Sequence, residues 1–173
     1  MATSRVLVVN NGTLSLPQLR KRFEQLGSET DTIDAASVPT RLGPRYQAIV
    51  LSGTKVRAFD RDYYKPLIDL VMGADVPVFG ICGGMQIIAV AHGGRLAEGP
   101  QRVGGHEAHV DKEEALFSYV GPTVNVFYRH TLYLQGAPEG FSSIGRSENA
   151  PVEFLRSDDG RIFGAPGAPV RQR

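Results

Sequence analysis

A change of period partway along the chain constrains its fold more than any other feature. Up to about residue 95, apolar runs of strand length alternate with helical patterns. RVLVVNN (5–11) is a short β-branched run closing in Asn-Asn-Gly, which reads as a buried strand with a loop at its end. Leu16, Leu19, Phe23 and Leu26 then recur at helical spacing, with Ser15 placed to cap and Gly27 to stop the helix. SETDTIDA reads as a polar, edge-like strand, and YQAIVLSG (46–53) as a buried strand entering a glycine turn. A helix is expected from about Asp62, with Pro66 in its first turn. VPVFGIC is the next buried strand, and GMQIIAVAHGG the next helix, stopped by Gly93 and Gly94. Such alternation is the pattern of a parallel, doubly wound sheet. Beyond it, HEAHVD, TVNVFYRH, FSSIGRS, PVEFLRS and RIFGAP are short strand-like pieces joined by turns. The expected fold is α/β: a doubly wound, mostly parallel sheet with helices on both faces and a small antiparallel extension. With no repeat and no linker, residues 1–173 read as a single domain.

Composition narrows the function. A formal net charge of +1 gives no field that would draw nucleic acid or an anionic membrane. No apolar run approaches the roughly 20 residues of a membrane span. The first residues run almost directly into a strand, with no separate signal region, and a single cysteine forms no internal disulfide, so a cytoplasmic setting is expected.

That cysteine, Cys82, lies in Gly80-Ile81-Cys82-Gly83-Gly84 between strand and helix. This is the arrangement of a nucleophile elbow, in which small neighbours let a strained turn present a reactive side chain. A helix N-terminus there favours thiolate and is expected to lower the thiol pKa. The Gly83 N–H would face an oxyanion formed on an attacked carbonyl, and the Ser52-Gly53-Thr54 turn ending another buried strand would supply a second N–H. A buried structural cysteine and a plain β–α turn are the alternative readings of these two segments.

Together, in this order and spacing, the two segments resemble a class I glutamine amidotransferase domain, closest to the stand-alone glutaminase subunits of archaeal-type GMP synthetases. VLVVNNG matches the family's first strand, IVLSG its LSGG(P) loop, and PVFGICGGMQIIAVAHGG its GIC-x-G-x-Q elbow helix; VDKEEALF, PEGFSSIGRSE and RIFGAPGAPV follow more loosely but collinearly. The resemblance implies a flavodoxin-like sheet of seven-stranded type, a covalent glutamyl thioester on a cysteine nucleophile, and release of ammonia, with no cofactor. It makes Cys82 the nucleophile, puts Gly53, Thr54 and Gly83 around the oxyanion, and gives Gln86 the place that holds the bound amino acid's polar end.

The chain also departs from that pattern. Where the family carries G-V-Q-F-H-P-E, with a general-base His and an orienting Glu, this sequence has Gly164-Ala165-Pro166-Gly167-Ala168-Pro169-Val170. Ala168 stands at the base and Val170 at its carboxylate partner, and neither accepts a proton. The family's S-H-G-D or S-H-K-D motif is here Arg129-His130-Thr131-Leu132, so the acid that would hold an α-amino group is Leu132. Losing the base from a Cys–His pair costs several orders of magnitude in rate.

Replacement bases are sought among four histidines. His92 ends the elbow helix. His106 shares a strand face with Ala108 and Val110 while His109 faces the other way, and His130 corresponds to a family histidine bordering the substrate site. His130 and His106 are the catalytic candidates. Arg129 at the pocket rim suits a carboxylate or phosphate, Glu107 lies beside it, and Tyr128 and Tyr133 are expected as aromatic walls. No metal-ligand spacing occurs. Three functions remain open at this point. The first is a divergent enzyme in which Cys82 attacks an amide, imide or other acyl carbon of a small molecule other than free glutamine. The second is a non-catalytic pseudo-glutaminase that binds and regulates a partner synthetase, and the third is a glutaminase subunit. The expected partners are a small-molecule substrate and a synthetase subunit; a homodimer stays open.

Overall fold

The computed structural model describes residues 3–54 and 61–169. Within them the chain runs β1 (Ser4–Asn10), α1 (Leu16–Gln25), β2 (Ser28–Asp34), β3 (Ala48–Leu51), α2 (Arg61–Gly73), β4 (Val78–Ile81), α3 (Gly83–Ala91), β5 (Leu96–Val110), β6 (Thr123–Leu134), β7 (Phe141–Ser147), β8 (Ala150–Ser157), β9 (Ile162–Ala165) and β10 (Ala168–Pro169). All these strands join one sheet, in the order β10-β6-β5-β7-β8-β9-β4-β3-β1-β2.

Strands β2, β1, β3, β4 and β9 pair in parallel. Side chains alternate across β1: Leu7 and Val9 pack with Leu67, Leu70, Ile87 and Ile88 of α2 and α3, while Val6 and Val8 pack with Leu16, Leu19 and Phe23 of α1. Helices therefore cover both faces, as the alternation of strand and helix requires. The two covers are unequal. Leu67, Ile87 and Ile88 are fully buried, whereas no residue of α1 is.

From β8 onward the pairing is antiparallel, through β7, β5, β6 and β10. The extension is thus larger than the small one expected, because β5 and β6 form one long hairpin that short strand-like fragments did not reveal. Its second core gathers Ala108, Val126, Tyr128, Ile144, Phe154 and Ala165. Between Glu98 and Arg102 the hairpin is bulged: Glu98 faces Leu132 and Arg102 faces His130, so β5 is longer than its partner there. Pro66 lies inside α2 rather than in its first turn, where the burial of Tyr64, Leu67, Ile68, Leu70 and Val71 offsets the lost backbone bond.

Candidate functional site

The C-terminal ends of β1, β3 and β4 meet, as open α/β sheets arrange their ligand crevices. Cys82 joins β4 to α3 with φ +52° and ψ −109°, and among the described residues it is the only non-glycine with positive φ. Holding such a backbone costs about 1–3 kcal/mol. Its N–H donates to the Ala165 carbonyl at 2.7 Å, and its carbonyl accepts the Gln86 N–H at 3.1 Å, so β9 and the first turn of α3 fix the bend.

The Ser52–Thr54 turn is pressed against this bend. A Cβ at Gly53 would lie 3.7 Å from Cys82 Cβ, and one at Gly83 only 2.2 Å from Thr54 Cγ2 and 2.8 Å from Thr54 N. At Gly84 a Cβ would stand 2.3 Å from the Leu51 carbonyl oxygen. The double glycine therefore lets α3 begin directly on β3. Two residues not singled out from the sequence hold the turn. Asn11 donates from its N–H to Ser52 Oγ and from Nδ2 to the Ser52 carbonyl, both at 2.9 Å. Tyr64, from α2, places its hydroxyl 3.0 Å from Thr54 Oγ1. The Asn-Asn-Gly end of the first strand carried a signal for Asn11, though it reads equally well as an ordinary loop. Tyr64 gave no local signal.

The thiol does not behave as the helix N-terminus led us to expect. Burial pushes its pKa above the ordinary value, opposed by the Gly83 N–H. The desolvation of a sulfur enclosed by β3, β4 and α3 outweighs the N-terminal field, and no carboxylate or imidazole among the described residues acts on it. Ala168 and Pro169 form β10, paired with Phe127 and Val126 of β6. Val170 lies outside the described residues.

The other candidates separate into two faces of the β5–β6 hairpin. His106, Tyr128 and His130 share the inner face. His130 stacks on Tyr128 at 5.3 Å and leans on Tyr133 at 5.0 Å, and His106 meets the Tyr128 ring edge-on at 5.4 Å. Burial pushes the His130 pKa down, with Glu153 acting the other way. The groups that act on His130 are those of the extension, Cys82 not among them. Arg129 and Glu107 are exposed and alternate with these residues, so they point from the opposite face, which corrects their placement in one pocket with Tyr128. Tyr128 is itself fully buried beneath the Arg102 guanidinium, 3.9 Å from its ring, and lines no open wall. Gln86 is buried, and its Nε2 donates to the Leu132 carbonyl at 2.9 Å, so its amide is already engaged by β6.

Sequence reasoning also missed a buried ion pair. Arg102 (6% exposed) and Glu153 (1%) meet at 2.6 Å beside Tyr128, and Ser147 donates to the same Glu153 oxygen. Among the described residues there is no group of three metal-ligating side chains, and no helix is long and apolar enough to cross a membrane.

Comparison with known proteins adds to this geometry. The family described as Glutamine amidotransferase class-I matches residues 7–165. A glutamine-hydrolyzing GMP synthase of Thermosipho africanus is 34% identical over 123 residues, 70% of this chain and 24% of that protein. This chain thus spans about a quarter of the length of such synthases. One separately encoded subunit of the glutamine-hydrolyzing GMP synthase of Methanocaldococcus jannaschii is 25% identical over 167 residues, covering 95% of this chain and 87% of its own. Among solved structures, a glutamine amidotransferase from Thermotoga maritima superposes with a TM-score of 0.80 at 19% identity, over 96% of this chain and 76% of that one. A protein from Thermoplasma acidophilum, provisionally described as the corresponding GMP synthase subunit, reaches 0.87 at 19% identity, over 96% and 84%.

Proposed function

The chain belongs to the class I glutamine amidotransferase family, and from that premise we propose that it is a glutaminase-like module that does not hydrolyse glutamine but binds and regulates a partner synthetase. The observation that carries this reading is the state of Cys82: a thiol raised in pKa by burial, with no imidazole or carboxylate among the described residues acting on it. A protonated thiol without a base attacks an amide slowly, and the leaving ammonia has no proton donor. The engagement of Gln86 by Leu132 removes a further contact from free glutamine. Relatives named as one subunit of a glutamine-hydrolyzing GMP synthase support a synthetase as the partner.

Alkylation by iodoacetamide tests the thiol. Cys82 should react at pH 7 more slowly than a free model thiol, and ammonia release from glutamine should equal that of a Cys82→Ser variant. Reaction faster than the model thiol, or Cys82-dependent ammonia release, overturns the proposal. For the partner, the synthetase subunit of a GMP synthase, supplied with free ammonia, should change its rate when this chain is titrated in. No change at saturating concentration counts against regulation.

The strained backbone kept at Cys82 favours a second reading, that of a divergent acyl-transfer enzyme acting on a small molecule other than free glutamine. Incubation with a p-nitrophenyl acyl ester followed by intact-mass analysis separates the two: an acyl adduct lost in Cys82→Ser selects the enzyme.

A further inference from the structure

Four of the five buried side-chain polar atoms without a hydrogen-bonding partner among the described residues fall in one place: Arg102 Nε, Tyr128 Oη and both ring nitrogens of His130. Buried polar groups are nearly always satisfied, so such a concentration calls for a reason. The groups that face His130 are Arg102 and His106 from β5, Tyr128 and Tyr133 from β6, and Glu153 from β8. They include one carboxylate, already bonded to Arg102 and Ser147. A proton on His130 would set two cations, directly opposite one another in the β5–β6 register, around that single carboxylate.

The same end of the hairpin is where its ladder is interrupted. The bulge between Glu98 and Arg102 lies there, the Tyr133 hydroxyl donates to the Pro100 carbonyl, and a cleft of about 560 Å³ opens along Gly99, Pro100, Arg102, Tyr133 and Asn149. On its other side, two residues beyond His130, the Leu132 carbonyl holds the Gln86 amide of the elbow helix.

We propose that the bulged end of the β5–β6 hairpin is a proton-operated latch on the elbow helix, closed on Gln86 while His130 is neutral and released when His130 is protonated. The latch is independent of whether Cys82 reacts. Its sign follows from burial: in the closed form the imidazole pKa lies below its ordinary value, whereas in an opened hairpin it returns to about 6.5. The open form therefore binds more protons, and opening grows as pH falls through about 6.5. Between pH 7.5 and 5.5 the change is bounded at roughly tenfold for one site.

Amide hydrogen exchange on the full chain, corrected for the intrinsic pH dependence of exchange, reads this directly. Protection across residues 128–134 should fall about five- to tenfold from pH 7.5 to 5.5, while Val6–Val9 of β1 stays unchanged. In His130→Phe, which keeps a stacking ring without a titrating nitrogen, the fall should vanish. Equal loss of protection in that variant, or none in wild type, overturns the latch. If His130→Phe does not fold, NMR of the wild type decides. The His130 ring should titrate below 6.5, with the Gln86 side-chain amide signal moving at the same pH. A ring that titrates at or above 6.5, or a stationary Gln86 signal, refutes it.

Discussion

A single methyl group at position 83 probes the closest contact of the elbow. In Gly83→Ala the new Cβ would stand 2.2 Å from Thr54 Cγ2, 2.8 Å from Thr54 N and 3.0 Å from Thr54 Cβ. Two of these atoms are near the backbone, so rotating the threonine side chain does not relieve the clash, and rotation would also break the contact of Thr54 Oγ1 with the Tyr64 hydroxyl. The Ser52–Thr54 turn must shift by several tenths of an ångström. Overpacking of this kind costs about 1–3 kcal/mol, and the better helix propensity of alanine offsets somewhat under 1 kcal/mol at a first helical position. The net expectation is a loss of about 1–2 kcal/mol, or roughly 2–8 °C in Tm for a chain of this size. Urea denaturation with an unchanged m-value measures it. Thr54→Ser deletes the Cγ2 contact but leaves the one at the Thr54 nitrogen, so the double variant should recover part of the loss and the two changes should not add. A Gly83→Ala chain within 0.3 kcal/mol of wild type, on the order of the error of such comparisons, refutes the close packing. So does strict additivity with Thr54→Ser.

Other perturbations separate the remaining interactions. Glu153→Gln leaves the buried Arg102 charge unpaired and should cost about 3–5 kcal/mol, whereas the double change Arg102→Met with Glu153→Leu should fall within about 1–2 kcal/mol of wild type; both are measurable by chemical denaturation. Because burial raises the Cys82 pKa, its thiolate fraction at any neutral pH lies below that of a free thiol, so an alkylation profile against pH should be displaced to higher pH than that of a model thiol. A profile displaced to lower pH contradicts the account of the site. Tyr64→Phe removes the hydroxyl that meets Thr54 and should cost about 0.5–1.5 kcal/mol in thermal denaturation.

The parallel half was legible in the sequence because each of its central strands is buried on both faces and reads as a continuous apolar run, with helical spacing between. The elbow was legible because close approach of α3 to β3 demands glycine at 83 and 84. The reach of the antiparallel part was not, since β5 and β6 pair over many residues and their register, bulge included, is set by contacts far apart in the chain. Arg102 and Glu153 are fifty-one residues apart and no local pattern joins them. The faces of the hairpin could have been read. If Tyr128 and His130 point inward, strict alternation turns Arg129 outward, and the family motif drew attention away from that. The direction of the thiol pKa depended on enclosure by three separate elements, which local sequence does not report.

The unusual backbone angle at residue 82 is imposed by its surroundings: the Ala165 carbonyl on one side, the start of α3 on the other, and two glycines that permit the turn. The sulfur merely occupies the position. Geometry and reactivity at this corner are consequently separable inheritances, and a lineage can discard the partners that made the sulfur a reagent while retaining, unchanged, the contour that other molecules meet.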